Sequence, residues 1–534
     1  MLALAIGGLI ASPNLPAAPS FNSAVSQGVV SSFYVWETSG LVASRQNPGV
    51  IWVHNDSGYP GSVFALSTNG TLLAQCTVPE IYGGDFEDIA LGPGPSPETH
   101  YIYLGDIGDN TTNRTSIRVL RFPEPAVYAY QSNNVINWTA AGAQEITLRY
   151  PDRPYNAEAL LVDPLNGDLF IATKLDDRSR IYRATRAEME TNDVTLTFIR
   201  EIAFFKVSGG DVSSDGNLIA LRRGGNAALY VRSSGQSVGD ALGNSSTSIP
   251  ISNNEPNGEA LGFHPAGLGY YTLSEGSSQP LYYYRRTDSG VPKQPVVLIR
   301  PGETWRFDDS GTDLGTGWRA TNFNDTAWSS GPAQLGNGEL DEQTLISAAA
   351  DPFSGPTVYF RKQFVVTNAT TLSNLALRVC FNDGVAVYLN GAEILRRNLP
   401  ANATLDMLAT ASNAEWQNYW LSVPLSPTQL RTGTNTLAVE LHRFEADVPG
   451  MSFDLQLAEG KVDLPARFTG TAKVASGSFS MPLAGPAGSL ARIEATSDGT
   501  RWLAAGQVVL TNGTGTFRET VAVGATNRLY RVAQ

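Results

Sequence analysis

The sequence predicts an all-β protein in which an N-terminal β-propeller, with five blades favoured and six also compatible, is followed by two β-sandwich domains. The chain of 534 residues contains 52 Gly, 31 Pro and 16% charged residues, a composition typical of folded, turn-rich proteins. Short apolar strands recur about every 50 residues in the first half, which suits a four-stranded propeller blade. Alternating strands with Asn-Gly and Asp-Gly turns fill the second half, and this pattern predicts sandwiches.

The repeat of the first half consists of an apolar strand that opens on a small or acidic residue, a turn, a second apolar strand, and a third strand that ends in aromatic or basic residues. Its five copies contain SGLVAS, EDIALG, EALLVD, DVSSDG and EALGFH. They open at Ser39, Glu87, Glu158, Asp211 and Glu259, with separations of 48, 71, 53 and 48 residues. We interpret FPEPAVYAYQSNNVINWTAAGA, within the longest interval, as an insertion because of its Pro and Asn content.

The ends of the repeat region determine how the ring would close. Only three strands fit after Glu259, so residues 23–36 are expected to supply the outer strand of the last blade. The segment ATRAEMETN at 184–192 predicts one helical turn. The linker SGVPKQP near residue 290 ends the propeller, which we assign to residues 21–292.

The blade openings are expected to surround one mouth of the axial channel. In an antiparallel blade the innermost strand begins on one face, and the second strand returns to that face. The loops at this face would carry Asn55, Asp56, Asp106, Asp109, Asn110, Lys174, Asp176, Arg222 and Glu275. Carboxylates gathered in this way cannot all stay ionised unless a positive charge lies among them.

A hard cation is the expected partner of this acidic ring. Ca²⁺ binds six to eight oxygen atoms and accepts carboxylate, hydroxyl, amide and water ligands. Zinc is disfavoured, because the four histidines are scattered and no Cys/His spacing is present. The alternative is that each acid caps a strand or accepts hydrogen bonds from backbone N–H groups. Four acids in five equivalent positions favour the metal.

The order Ser, Glu, Glu, small or acidic, Glu at the blade openings resembles the five-bladed calcium-activated nucleotidases (apyrases). The motifs NAEALLVD and GEALGF resemble the β-propeller phytase-like group. The resemblance covers roughly residues 30–290 and implies an axial Ca²⁺ and hydrolysis of phosphate compounds. It implies that the ligands are Glu87, Glu158 and Glu259, with Ser39 and Asp211. The chain departs from the phytase pattern because the mouth lacks a dense set of Lys and Arg.

A hydrolytic site at this mouth would need a base and positive charge. Asp109 or Glu275 would take the proton of the attacking water. Lys174 and Arg222, with Arg114, would neutralise the charge that develops in the transition state. The substrate-binding residues would be Asp56, Asp106, Asn110 and Arg114. The alternative for each of these basic residues is a solvated surface charge.

Two other motifs are interpreted as structural. His54 lies in VIWVHND, where the strand pattern favours a buried histidine over a catalytic one. The segment GQSVG, which contains Ser237, matches the nucleophile-elbow pattern but has no preceding strand that feeds a helix. No Walker A sequence is present, and no G-x-G-x-x-G lies between a strand and a helix.

The second half divides into two further domains. Residues 301–460, with FNDGVAVYLNGAEILRRNLP and GTNTLAVELH, resemble the galactose-binding-like jelly-roll modules of secreted bacterial enzymes. The resemblance implies either a carbohydrate-binding module or a spacer, and core packing is the alternative role of its aromatic residues. Those to test for glycan binding are Trp318, Trp328, Trp416 and Trp420. Residues 465–534 predict a small C-terminal β-sandwich.

Charge and hydropathy limit the function. The net charge of -13 argues against a nucleic-acid partner, and no run of 18 apolar residues predicts a membrane span. Residues 1–20 are signal-like although a basic n-region is missing, so we expect a secreted protein. Cys76 and Cys380 fall in different predicted domains and are expected to be unpaired.

The sequence therefore predicts a secreted, calcium-binding, phosphohydrolase-like propeller whose ligand is a small molecule or a glycan. The alternative is a non-catalytic extracellular binding or adhesion protein that holds a ligand at the same mouth.

Overall fold

The computed structural model describes most of the propeller and the first sandwich and the strands of the last domain. The described residues are 17–56, 61–78, 83–95, 99–127, 135–140, 142–291, 296–338, 342–346, 356–412, 420–445, 450–459, 467–468, 473–475, 478–484, 490–496, 503–509, 514–520 and 528–533. Most of the signal-like segment, residues 1–16, lies outside them, as does Trp416. Within this part of the chain, no helix is long and apolar enough to cross a membrane.

The described residues of the first half form 22 strands and two short helices. In chain order the strands are β1 (Val25–Val30), β2 (Thr38–Ala43), β3 (Val50–Asn55), β4 (Ser62–Ser67), β5 (Leu72–Thr77), β6 (Phe86–Pro93), β7 (His100–Asp106), β8 (Ile117–Pro123), β9 (Ile136–Thr139), β10 (Gln144–Arg149), β11 (Ala157–Val162), β12 (Leu169–Thr173), β13 (Ser179–Ala184), β14 (Asp193–Thr195), β15 (Thr197–Ile202), β16 (Gly209–Val212), β17 (Leu218–Arg223), β18 (Asn226–Val231), β19 (Thr247–Ile249), β20 (Gly258–Phe263), β21 (Gly269–Ser274) and β22 (Gln279–Arg285). The helices are α1 (Arg186–Met189) and α2 (Val238–Ala241).

These strands form five sheets, which are the blades of a five-bladed propeller. Their strand orders are β2-β3-β4-β5-β9, β6-β7-β8-β10-β14, β11-β12-β13-β15, β16-β17-β18-β19 and β20-β21-β22-β1. The innermost strands pack against one another in the ring β2, β6, β11, β16, β20 and back to β2. The N-terminal strand β1 pairs antiparallel with β22, which confirms that it completes the last blade. Apolar side chains between neighbouring blades form the core, because each sheet buries both faces.

Two blades contain a fifth strand that the repeat did not predict. Strand β9 comes from the segment interpreted as an insertion and pairs in parallel with β5 of blade one. Strand β14 pairs in parallel with β10 of blade two. The expected helical turn is present as α1, and its N-cap is Thr185. The second helix, α2, is capped by the Ser237 side chain, which confirms that GQSVG is not a nucleophile elbow.

The second unit is a two-sheet sandwich built from β23 (Val297–Ile299), β24 (Thr304–Asp308), β25 (Ser329–Pro332), β26 (Leu335–Asn337), β27 (Thr344–Leu345), β28 (Thr357–Val366), β29 (Leu375–Asn382), β30 (Gly384–Leu389), β31 (Ala392–Arg397), β32 (Leu421–Leu425), β33 (Gly433–His442) and β34 (Met451–Glu459). One sheet has the order β27-β26-β34-β29-β32 with β23 beside β34, and the other has the order β25-β24-β28-β33-β30-β31. Their inner faces enclose one apolar core.

The described residues of the C-terminal region form seven strands. They are β35 (Arg467–Phe468), β36 (Lys473–Ala475), β37 (Ser478–Ala484), β38 (Leu490–Thr496), β39 (Leu503–Val509), β40 (Thr514–Thr520) and β41 (Leu529–Ala533). They form two sheets, in which β37 is flanked by β35, β36 and β40, and β38 lies between β39 and β41. A small core around Leu483, Ile493 and Phe517 lies between them.

Three of the four tryptophans to be tested for glycan binding lie within the described residues, and two of these are fully buried. Trp318 is fully buried, and its ring centroid lies 4.6 Å from that of Tyr359 in the sandwich core. Trp420 is also fully buried, and its Nε1 donates to Asn47 Oδ1 of the propeller at 2.8 Å. Trp328 is half-buried and packs against the Trp318 cluster. The expectation that Trp318 and Trp420 contact a sugar is therefore wrong, because neither ring reaches solvent.

Asn47 belongs to a buried polar network that attaches the sandwich to the propeller. Its side-chain amide donates to Glu124 Oε1 at 3.2 Å and to Pro125 O at 2.8 Å. Trp52 Nε1 also donates to Glu124 Oε1 at 2.8 Å. Asn47 lies in the turn after β2, so this attachment is at the end of the blade opposite the mouth. Neither Cys76 nor Cys380 forms a disulfide bond in the structure.

We predict that Trp420→Ala weakens this attachment. The substitution removes a fully buried ring and its hydrogen bond, which should lower the free energy of unfolding by about 3–5 kcal/mol. Phe33→Ala, at a ring that is 91% exposed, is the control and should change it little. Thermal unfolding and limited proteolysis between the two units measure both effects. Equal unfolding temperatures for the two variants would contradict the role of Trp420.

We also predict that Glu124→Gln removes a pH-dependent loss of stability. Burial raises the pKa of Glu124 to about 7, although hydrogen bonds from Ser44 and Trp52 lower it. The folded protein therefore holds this proton more tightly than the unfolded chain, and the stabilisation is lost as the pH rises through 7. Between pH 5 and pH 8, wild type should lose about 3 kcal/mol more than the variant. Parallel pH profiles of the melting temperature would refute this.

Candidate functional site

Three carboxylates meet at the mouth of the propeller because the innermost strands carry β-bulges there. The register shifts between Phe86 and Asp88, between Ala157 and Ala159, and between Gly258 and Ala260. The bulged residues are Glu87, Glu158 and Glu259. A bulge redirects a side chain away from the alternating pattern of the strand. One oxygen of each carboxylate lies within 4.8 Å of the others, so the structure brings together the three expected metal ligands.

Ser39 joins this group from blade one. Its hydroxyl donates to Glu87 O at 2.6 Å and lies 3.1 Å from Glu259 Oε2. The register of β2 also shifts here, between Thr38 and Leu41. Ser39 therefore touches two of the three acidic blades.

Asp211 does not join the three glutamates. Strand β16 pairs regularly with β17, and no bulge redirects the Asp211 side chain. Its two carboxylate oxygens accept hydrogen bonds from Val212 N and Phe263 N, each at 2.8 Å. Asp211 therefore has the backbone-bonding role that was the alternative in the sequence, and its assignment as a ligand is corrected.

Ser208 lies at the start of blade four and was not among the residues expected at the mouth. It precedes β16, is 4% exposed, and its N–H donates to Arg222 O at 2.9 Å. Its Oγ is buried and has no hydrogen-bond partner among the described residues. A Cβ on the next residue, Gly209, would lie 2.6 Å from Glu259 O, so blade four lies close to blade five here. Even spacing gave the signal, since Ser208 lies 50 residues after Glu158 and 51 before Glu259.

A second acidic group shares Glu87 with the first. It consists of Asp56, Asp85 and Glu87, whose nearest carboxylate oxygens also lie within 4.8 Å of one another. Asp85 was not anticipated, although it lies two residues before Glu87. Gly108 packs against this group, and a Cβ there would lie 2.3 Å from Glu87 Oε1 and 2.4 Å from Asp85 Oδ2. Only glycine leaves space for both carboxylates.

Burial and the repulsion between neighbouring charges favour the protonated form of the carboxylates at the mouth. Burial, followed by the charges of Glu158 and Asp56, raises the pKa of Glu87 far above the usual carboxyl range. Burial also raises the pKa of Glu259, against the lowering effect of Lys174. Glu275 is half-buried at the rim, and burial together with the charge of Glu259 raises its pKa to about 7. A cation at this mouth would relieve a repulsion that these residues do not remove themselves.

Lys174 supplies part of the missing positive charge. Its ammonium contacts the Glu158 carboxylate and lies 3.9 Å from Glu259 Oε1. Burial lowers the pKa of Lys174, but the charge and hydrogen bond of Glu158 raise it further, so the net shift is upward. The side chain is 34% exposed and can be reached from solvent. Lys174 is thus at the mouth, as expected.

Two expected catalytic residues are not available for catalysis. Arg222 is fully buried in an ion pair with Glu255 at 3.3 Å, and it donates to Ala260 O at 2.8 Å. Asp109 is 3% exposed, and its carboxylate accepts hydrogen bonds from Asn113 N at 3.0 Å and Arg114 N at 2.9 Å. Arg222 therefore holds blades four and five together, and Asp109 stabilises the conformation of its own loop. Both catalytic assignments are corrected because these groups are already bound and shielded from solvent.

The expected substrate-binding residues differ in burial and in the partners that hold them. Asp106 is buried and pairs with Arg114 Nη1 at 2.8 Å and with Arg118 Nε at 2.6 Å, so its role is structural. Arg114 is 27% exposed and remains tied to Asp106. Asn110 is exposed and accepts a hydrogen bond from Asn156 Nδ2 at 3.2 Å. Asp56 lies in the second acidic group.

The remaining polar residues of the rim are also accounted for. Asn55 accepts hydrogen bonds from Trp36 N and Glu37 N, both at 3.3 Å. Asp176 is exposed and pairs with Lys206 at 3.0 Å. His54 is fully buried, burial lowers its pKa to about 4, and its Nδ1 lies 2.9 Å from Asn55 O. This agrees with the expected structural role of His54.

Comparisons with known proteins place few limits on the site. No protein-family model and no curated protein matches the chain. Among solved structures, a β-glucuronidase of Bacteroides uniformis is 16% identical, with a TM-score of 0.23 over 45% of this chain and 28% of that chain. The PQQ-bound aldose sugar dehydrogenase (Adh) of Streptomyces coelicolor is 12% identical, with a TM-score of 0.29 over 51% of this chain and 100% of that chain.

A β-glucuronidase from an uncultured Clostridium sp. is 11% identical, with a TM-score of 0.22 over 43% of this chain and 40% of that chain. This chain therefore spans less than half the length of either glucuronidase. Likenesses at these TM-scores carry no argument about activity.

We predict that Lys174→Met destabilises the calcium-free protein by about 2 kcal/mol, because two partly buried carboxylates lose their ammonium partner. Adding Glu158→Gln to this variant should restore part of the loss. The control is Lys206→Met, which breaks the exposed pair with Asp176 and should cost about 0–1 kcal/mol. Urea unfolding in EGTA gives the free energies. Equal losses from the two lysine substitutions would show that Lys174 does not offset the acidic group.

Proposed function

We propose that the mouth of the propeller binds Ca²⁺ and that the protein is an exported hydrolase of phosphoesters. The observation that carries this proposal is the convergence of Glu87, Glu158 and Glu259 within 4.8 Å from three different blades. Carboxylates with hydroxyl groups beside them form a hard-oxygen donor set, which Ca²⁺ prefers.

The residues present fit such an ion. The three glutamates would hold it, and Ser39 and Ser208 would add hydroxyl oxygens from the two remaining blades. The buried Ser208 Oγ has no hydrogen-bond partner among the described residues, so a ligand there would satisfy it. Water completes the six to eight ligands that Ca²⁺ takes. The three residues of this group offer only carboxylate oxygens as ligand atoms, with no Cys sulfur or His nitrogen among them.

The chemistry of the ion, when bound, would be to polarise a phosphoryl oxygen and to hold the substrate by its charge. Lys174 reaches the same carboxylates from the solvent side, and its ammonium would pair with the charge that develops on the phosphoryl group. Glu275 lies half-buried at the rim, and one of its carboxylate oxygens would accept the proton of the attacking water. Arg222 and Asp109 have no part in this proposal, because their partners already hold them.

Export of the protein would bring the mouth into contact with extracellular calcium. The signal-like N-terminal sequence supports export, and extracellular media supply calcium at concentrations that a site of carboxylates and hydroxyls can use. A glycan remains a candidate partner, although Trp318 and Trp420 do not bind it.

We predict that Ca²⁺ raises the melting temperature and that Glu158→Gln abolishes this rise. Binding to the folded state alone stabilises it by about 2.7 kcal/mol when the ligand is at one hundred times its Kd. Glu145→Gln is the matched control, since Glu145 is an exposed propeller carboxylate that pairs with Arg118. Scanning calorimetry with CaCl₂ and with EGTA measures the shift. A similar shift in wild type and Glu158→Gln would place the ion elsewhere.

We predict in addition that wild type releases phosphate or p-nitrophenol from generic phosphoesters in CaCl₂ but not in EGTA. Lys174→Met should lower kcat by about tenfold to a thousandfold, if its ammonium stabilises the transition state as proposed. Lys206→Met is the control and should retain full activity. A calcium-dependent rise in melting temperature without turnover would favour the non-catalytic binding protein over the hydrolase.

A further inference from the structure

A pocket lined by aromatic rings lies beside the acidic mouth. It has a cavity volume of about 100 Å³ and is partly open to solvent. Its lining is aromatic on one side and polar but uncharged on the other, and consists of Phe33, Tyr34, Trp36, Phe64, Asn55, Ser62 and Gln75. Asn55 ends β3 and Ser62 begins β4, so the pocket lies at the mouth end of blade one.

Three of the four aromatic rings are exposed to solvent instead of being buried in the core. Phe33 is 91% exposed, Tyr34 58% and Trp36 38%. Single exposed apolar residues are normal on a protein surface, whereas contiguous exposed apolar groups mark interaction sites and ligand-binding grooves. Phe64 is 5% exposed and forms the floor of the pocket.

The segment that carries these rings is held in place. Asn55 Nδ2 donates to Tyr34 O at 2.8 Å, and Asn55 Oδ1 accepts hydrogen bonds from Trp36 N and Glu37 N, both at 3.3 Å. On the other side, Gly276 N donates to Trp36 O at 2.7 Å. The backbone between blade five and blade one is therefore fixed at three points, and the rings are presented by a formed structure.

The charge of the surroundings selects the class of ligand. None of the described residues that line the pocket carries a cationic side chain, and the adjacent rim carries the acids Glu37, Asp56 and Glu275. An anionic ligand would be repelled at this position. A neutral molecule with hydroxyl groups would instead donate hydrogen bonds to these carboxylates.

The uncharged polar side chains of the pocket favour a neutral ligand over an organic cation. The Gln75 amide is half-buried, and it makes no hydrogen bond with the other described residues. It offers both a donor and an acceptor, as a hydroxyl group requires. An ammonium group has no acceptor and would leave the N–H donors of Gln75 unused.

We propose that this pocket binds a neutral sugar ring. The apolar face of a pyranose would stack on Trp36 and Tyr34, and its hydroxyl groups would bond to Gln75 and Ser62. The propeller would then contain a carbohydrate contact of this protein. Because Asn55 in the pocket precedes Asp56 of the second acidic group, the sugar would lie next to the candidate metal centre.

The test is isothermal titration of the full-length protein with cellohexaose, laminarihexaose, xylohexaose, mannohexaose and galactohexaose. We expect at least one of them to bind, and Trp36→Ala and Gln75→Ala each to lower its affinity by about tenfold or more. Phe33→Ala removes the most exposed ring, so this variant should fold normally. It should also weaken binding, which shows that the loss of affinity does not come from misfolding. Phe198→Ala, at a 40% exposed ring on β15 of blade three, is the control and should leave the affinity unchanged.

Each titration is done in EGTA and in CaCl₂, with choline chloride and adenosine as further probes. Saccharide binding in EGTA supports the sugar pocket even if the protein neither binds calcium nor hydrolyses phosphoesters, so the two proposals fail separately. The sugar pocket is overturned if no hexasaccharide binds, or if Trp36→Ala binds like Phe198→Ala. Binding of choline or adenosine in place of all the saccharides also overturns it and identifies an organic cation or a planar ring as the ligand.

Discussion

The repulsion among Glu87, Glu158 and Glu259 is the interaction around which the propeller mouth is organised. The closed ring of innermost strands brings these acids within 4.8 Å of one another, although they come from three separate blades. Buried carboxylates at this distance cannot all carry a charge unless a cation lies among them. Lys174 supplies one positive charge and remains partly exposed, so the site is open to a ligand from solvent.

Much of the fold could be predicted from the sequence because propeller blades repeat. The blade openings, the five sheets and the closing role of β1 all follow from apolar segments at regular spacing. The fifth strands of blades one and two could not be predicted in this way, since β9 and β14 occur once each and pair in parallel with outer strands. A polar segment rich in Asn resembles a loop until a neighbouring edge is available to pair with it.

The candidate site was predicted in part. Glu87, Glu158 and Glu259 were found because three blades repeat the same acidic residue at the same position. Asp211 was misassigned because the repeat does not reveal where a bulge occurs, and β16 has none. Arg222 has a partner in Glu255 that lies 33 residues further along the chain, and its burial depends on a contact between blades. Such contacts leave no local pattern in the sequence.

The pairing of β1 with β22 has a consequence for how the chain folds during synthesis. The first strand made belongs to the last blade, so blade five cannot be completed until residue 285 has been made. Until then β1 lacks the strand with which it pairs, and contacts of such long sequence separation form slowly. Folding of the propeller is therefore expected to be rate-limited by this final closure. The first four strands of each of the other blades are close in sequence and can pair as they emerge from the ribosome, and β9 and β14 join blades one and two later.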